Sequence, residues 1–241
     1  MAAHAMEPAS RPSSEHAQIV ALTLKACQIA KSAVSNVADG LAQHSNAPFT
    51  AVRECEKELD RLDREIDERV TAAITQVQPE QTRELLACLK FALDLERIGD
   101  LVAGFSTRAQ AIRRMDTEDV KDLIHMATAL EQMLVDIFEA FSARNIDCAL
   151  AVVRADAEID RRRNLLFIRH VEDPEGIAGP DGVQVLFMAQ ALERAGDHAK
   201  NLAEEVCYLA SGHSVRHLLQ ANSKSAEQMF IDWLRHKEAA S

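Results

Sequence analysis

Two stretches 97 positions apart constrain this chain more than anything else in it: LERIGDLVAGF at 95–105 and LERAGDHAKNLAEEV at 192–206. Five letters recur in register, as Leu95/Leu192, Glu96/Glu193, Arg97/Arg194, Gly99/Gly196 and Asp100/Asp197. Around each copy, apolar residues fall at spacings of three and four. The first stripe is Leu95, Ile98, Val102, Phe105, Ala109 and Ile112; the second is Leu192, Ala195, Ala199, Leu202, Val206 and Leu209. That spacing is the period of an α-helix with one buried face. The Glu and Asp of each copy are four apart, so they stack one turn apart on a single face. Glu96 and Glu193 each come one position after a stripe residue, about 100° round the helix. The carboxylates therefore flank the core.

Stripes of the same period mark the other helices. The first runs from about Glu15 to His44, with Val20, Leu24, Cys27, Ala30, Val34, Val37 and Leu41 inward. Asn46 as cap and Pro48 in the first turn open a second, carrying Val52, Cys55, Leu59, Leu62 and Ile66. Pro79 starts a third that reaches roughly Arg114. Thr117, Glu118 and Asp119 open a fourth, whose stripe runs from Val120 to Phe141. Asn145 caps a fifth, to Leu166, and turn formers between Asp173 and Gly182 precede the sixth. No stretch alternates at period two for long enough to make a strand. The expected fold is all-α: two tandem pseudo-symmetric three-helix bundles, six long antiparallel helices in all, plus a short C-terminal helix. The expected limits are a disordered leader over 1–14, repeats over 15–114 and 115–212, and a tail over 213–241. The tail's short helix, 225–237, opens on a capping box of Ser225 and Gln228.

A net charge of −11 and only 4% aromatic residues argue against nucleic acid and anionic lipid as partners. Metal cations or basic protein surfaces suit such a chain better. Five cysteines without a CxxC pair read as reduced, small apolar residues. With no secretory pattern and no uncharged apolar run of spanning length, a cytoplasmic protein without direct membrane insertion is expected.

The acidic pairs recur on the second and fifth helices, as Glu56/Asp60 and Asp156/Asp160; Asp63 and Asp67 continue the first row. Where two rows face one groove, four carboxylates repel and must protonate, splay into water or bind cations. All-oxygen ligands suit magnesium, calcium, manganese or iron. Asn201 and Glu204 extend the second row and could ligate too. The bland alternative is that these acids are solvated or paired with Lys and Arg across helices. The Glu-x-x-His motif of carboxylate-bridged oxidases is absent. Arg97 and Arg194 could bind an anion such as phosphate, although a surface ion pair is the commoner fate of such residues. Glycine at 99 and 196, costly inside a helix, points to close approach of a neighbouring helix.

ALDLERIGD and ALERAGDHAKNLAEEVCYLASGHSVRH resemble the PhoU family of bacterial phosphate-signalling regulators over roughly 16–217. The resemblance implies a cytoplasmic, all-helical, frequently dimeric, non-enzymatic protein that holds metal ions in multinuclear clusters, with iron, manganese, zinc and magnesium as candidates. It places the metal ligands at Glu56, Asp60, Glu96, Asp100, Asp156, Asp160, Glu193 and Asp197. It also implies negative regulation of phosphate uptake and of the starvation response, through contact with the phosphate transporter ATPase subunit and a sensor histidine kinase. Gly104 stands where the second repeat has Asn201, which makes the first cluster the poorer in expected ligands. The rival readings are a carboxylate-bridged iron or manganese oxidase and an accessory protein of a low-affinity phosphate carrier.

Overall fold

The structure, a computed structural model, describes residues 14–171 and 179–212. Those residues form six helices and no strand: α1 (Ser14–Gln43), α2 (Asn46–Ala73), α3 (Pro79–Ala111), α4 (Thr117–Ala143), α5 (Ile146–Val171) and α6 (Pro180–Ser211). The expected leader, apart from Ser14, and the helix expected at 225–237 lie outside the described residues.

Local chemistry sets most of the helix ends. The Ser45 hydroxyl accepts from the Ala47 amide and is the N-cap of α2, so Asn46 is its first helical residue rather than its cap. Asp116 caps α4 by accepting from the Glu118 amide at 2.8 Å. Asn145 caps α5 as expected, accepting from the amides of Asp147 and Cys148. Gly212 closes α6 with a φ of 73°, a left-handed conformation that glycine adopts without strain. α3 stops at Ala111, short of Arg114, because Ile112 turns to an extended conformation. α5 continues past Leu166 to Val171, where Arg169 and His170 hold its last turn against α4.

The first three helices pack on one another, and so do the last three. α1 lies against α4 and α3 against α6, which joins the halves through one continuous core. Lys90 near the start of α3 meets Glu205 near the end of α6, and Arg108 near the end of α3 meets Gln184 near the start of α6. The two helices therefore run antiparallel. The striped residues Leu95, Ile98, Phe105, Leu192, Ala195, Ala199 and Leu202 are all fully buried. Each large apolar side chain so removed from water contributes about 1.5–3 kcal/mol. None of the described helices is long and apolar enough to cross a membrane.

Candidate metal-binding grooves

The two mid-helix glycines set the spacing of the acidic rows. A Cβ at Gly99 would stand 2.7 Å from Leu59 Cδ1 and 3.8 Å from the Cα of Glu56, so α2 lies directly on α3 at this point. A Cβ at Gly196 would meet Ile159 Cδ1 at 3.3 Å and Asp156 Oδ1 at 3.5 Å. In both halves the close approach is made by the neighbouring helix. It draws the acidic row of the outer helix toward that of the inner one.

In the first half, Asp60 and Asp63 of α2 lie near Glu96 of α3, which also feels Asp100 one turn on. Burial and then the Asp100 carboxylate push the Glu96 carboxyl above its ordinary range; Arg97 opposes this, and Asp63 and Asp60 add to it. Asp63 is raised in the same way, by burial first and then by Asp67 and Asp60. Glu96 Oε2 is buried and accepts no hydrogen bond; the nearest cation, Arg97 Nε, is 3.5 Å away. Asp60 is half-buried and meets Arg64 at 3.1 Å, on its solvent side. Glu56 is half-buried beside the helix contact.

In the second half, Asp160 of α5 lies near Glu193 and Asp197 of α6, and Asp156 lies against α6 at Gly196. Burial raises the Asp160 carboxyl, with Asp156 and Asp197 adding to it. Burial also raises Glu193; Arg163 works against this, while Asp197 and Asp160 reinforce it. Two cations from the same helices enter this groove. Lys200 Nζ is 2.6 Å from Asp156 Oδ2, and Arg163 Nη2 is 3.4 Å from Glu193 Oε1. Burial would lower the Lys200 ammonium, but Asp156, Asp197 and Asp160 hold it above its usual value. Gln190 also donates to Glu193. Further along α6, Asn201 is half-buried and Glu204 is 8% exposed.

Three sequence expectations change. Asp156, expected beside the core, is 4% exposed and sits inside the helix contact, where Gly196 leaves room for it. The internal cations Lys200 and Arg163 were not foreseen. The repeat offset is 97 between α6 and α3 and 100 between α4–α5 and α1–α2, so their repeat equivalents are Ala103 and Asp63, and the first groove exchanges two cations for a neutral residue and an extra acid. Gly104 does leave open space where Asn201 stands, yet the first groove is the less compensated of the two. Proton and cation would compete for its oxygens.

Among the described residues, no three His, Cys, Asp or Glu side chains converge tightly enough to hold one ion. Carboxylates of the two rows lie near enough to feel one another across the helices; a coordination sphere would need rotamer changes in the outer carboxylates. The donor chemistry fits a hard cation, with carboxylate oxygens throughout and one of them, Glu96 Oε2, buried without a hydrogen bond.

The family model for the PhoU domain matches this chain twice, at residues 23–109 and 123–206. The chain belongs to the PhoU family. The phosphate-specific transport system accessory protein PhoU homolog of Pseudomonas aeruginosa is 30% identical over 197 residues, 78% of each chain. Homolog 1 of Thermotoga maritima is 30% identical over 183 residues, covering 73% of this chain and 78% of its own. The crystal structure of PhoU from Pseudomonas aeruginosa superposes with a TM-score of 0.73 at 26% identity, over 83% of this chain and 99% of that one. That of the phosphate transport system regulatory protein PhoU from Streptococcus pneumoniae gives 0.75 at 22% identity over 83% and 97%, which speaks for the fold alone. Each of the two matches contains one LERxGD copy.

Proposed function

We propose that this chain is a metal-binding regulatory scaffold, an accessory protein of phosphate transport that restrains phosphate uptake and starvation signalling. In this reading it is cytoplasmic and dimeric and acts by contact with the transporter ATPase subunit and a sensor histidine kinase, without an enzymatic reaction of its own. The observation that supports it is the close helix approach at Gly99 and at Gly196, beside acidic pairs that recur in both halves of a PhoU-family fold.

Bound cations would supply positive charge that offsets the crowding of the carboxylates. Glu96, Asp100, Asp60 and Glu56 would hold them in the first half, with Asp63 at the edge. Asp156, Asp160, Glu193, Asp197, Asn201 and Glu204 would do so in the second, once Lys200 and Arg163 swing outward. Each set spans two helices, so its neutralisation fixes the spacing of α2 on α3 and of α5 on α6. The outer faces of those helices then present a defined surface to a partner.

Deleting the gene in its host should switch on a phosphate-starvation reporter in phosphate-rich medium, and the wild-type gene should restore repression. A variant combining Glu96→Ala, Asp100→Ala, Glu193→Ala and Asp197→Ala should accumulate to the same level and fail to repress. A reporter that stays silent in the deletion strain would refute the regulatory reading.

A further inference from the structure

The seam between the halves carries a site opposite in charge to the acidic grooves. We propose that the groove between Arg97 of α3 and Arg194 of α6 binds a phosphate-class oxyanion, at the pseudo-twofold axis that relates the two repeats.

The repeat offset of 97 locates that axis. Lys90 and Glu205 form an ion pair of 2.8 Å across the α3–α6 seam. Their repeat equivalents, Phe187 and Arg108, also touch, with the guanidinium 4.6 Å from the ring centroid. The same operation exchanges Arg97 with Arg194. The two arginines are therefore counterparts on facing antiparallel helices, at the centre of the seam. Both line a groove of about 340 Å³. Arg108 and His198 line it too, and Asp100 is the one acid among the lining residues. On a chain with a net charge of −11, this is a local concentration of positive charge.

The arginines differ in how far they are already engaged. Arg108 is committed to Gln184 at 2.8 Å and to the Phe187 ring. His198 Nδ1 lies 2.7 Å from Asp94 Oδ1. Arg97 makes only long contacts, 3.5 Å to Glu96 and 3.7 Å to Asp100. Arg194 is exposed and makes no hydrogen bond or ion pair with the described residues. Two guanidinium groups beside one concavity repel each other until an anion sits between them. Their planar donor forks match the oxygens of a tetrahedral oxyanion. Phe187, Leu101 and Ala191 give the groove an apolar wall, which strengthens such contacts. The volume exceeds that of a bare tetrahedral ion, so both inorganic phosphate and the phosphate chain of a nucleotide meet the same requirements.

The test is calorimetric titration of the full chain, freed of metal with chelator, with inorganic phosphate and separately with ATP. Removing metal excludes phosphate or ATP that is held only through a bound cation. Saturable binding at one site per chain is expected for at least one titrant. Phosphate binding would name the free ion as ligand, and binding of ATP alone would name the nucleotide chain. Arg194→Gln should weaken the binding about tenfold or more, since a charge-assisted hydrogen bond is lost. Adding Arg97→Gln should abolish it. Both side chains are exposed, so neither substitution removes a core contact. No saturable binding of either titrant by the wild type, or unchanged affinity in the double variant, would overturn the proposal.

Discussion

Replacing Phe91 with alanine is expected to destabilise the folded chain by about 3–5 kcal/mol, the range for deleting a fully buried aromatic ring. Phe91 belongs to α3, and its ring packs on that of Phe141 in α4, with centroids 4.5 Å apart and planes tilted by 35°. Phe91 has no exposed surface and Phe141 is only 4% exposed. The contact thus ties the first repeat to the second. The pseudo-symmetry does not duplicate it: the equivalents of Phe91 and Phe141 are Met188 and Leu41. Truncation removes the ring's burial and leaves a cavity at the seam, which the close-packed helices can fill only in part. Denaturant unfolding followed by circular dichroism should show a lower midpoint with an unchanged slope. A loss below about 1 kcal/mol would mean the halves do not depend on this contact.

Arg169→Ala should cost about 3 kcal/mol or more by a different route. Asp119 and Asp122 of α4 are 2% and 7% exposed. Arg169 bridges them, with Nη1 2.7 Å from Asp119 Oδ1 and Nη2 2.8 Å from Asp122 Oδ2. Its removal leaves two buried carboxylates with one partner each, His170 at 2.9 Å and Arg162 at 2.9 Å. Each buried carboxylate then keeps its desolvation cost with only half of its ionic contacts to offset it. The first repeat supplies the control. Arg69 is the equivalent of Arg169, but Ile19 and Leu22 stand where Asp119 and Asp122 do, and Arg69 pairs instead with the partly exposed Glu15 and Glu65. Arg69→Ala should therefore cost no more than about 1 kcal/mol. Equal losses from the two substitutions, measured by the same unfolding experiment, would show that the burial of the Asp119 pair is not what matters.

These two contacts mark what the sequence discloses and what it conceals. The 3,4 stripes gave six helices because each carries an uninterrupted apolar face with a capping residue or proline near its start. Asp119 read as a first-turn acid favoured by the helix dipole, yet it is buried, since the residues that bury it lie fifty positions away on α5. Asp156 misled for the same reason: its exposure is decided by Gly196 on α6, not by its neighbours in the chain. Which side of the bundle the acidic rows face depends on packing handedness, and no single helix encodes that. The internal cations were within reach of the sequence. Aligning Arg163 with Asp63 and Lys200 with Ala103 shows that the second groove carries two cations where the first has an acid and a neutral residue.

The acidic grooves are tested most directly by elemental analysis of the full chain purified without chelator. Three proteins suffice: the wild type, Glu96→Ala/Asp100→Ala and Glu193→Ala/Asp197→Ala. Bound metal in the wild type is the expected result. It should be reduced in both variants, and more in the first, because Lys200 and Arg163 already occupy the second groove. A wild type free of metal, or the same metal content in all three proteins, would contradict the assignment of these carboxylates as metal ligands.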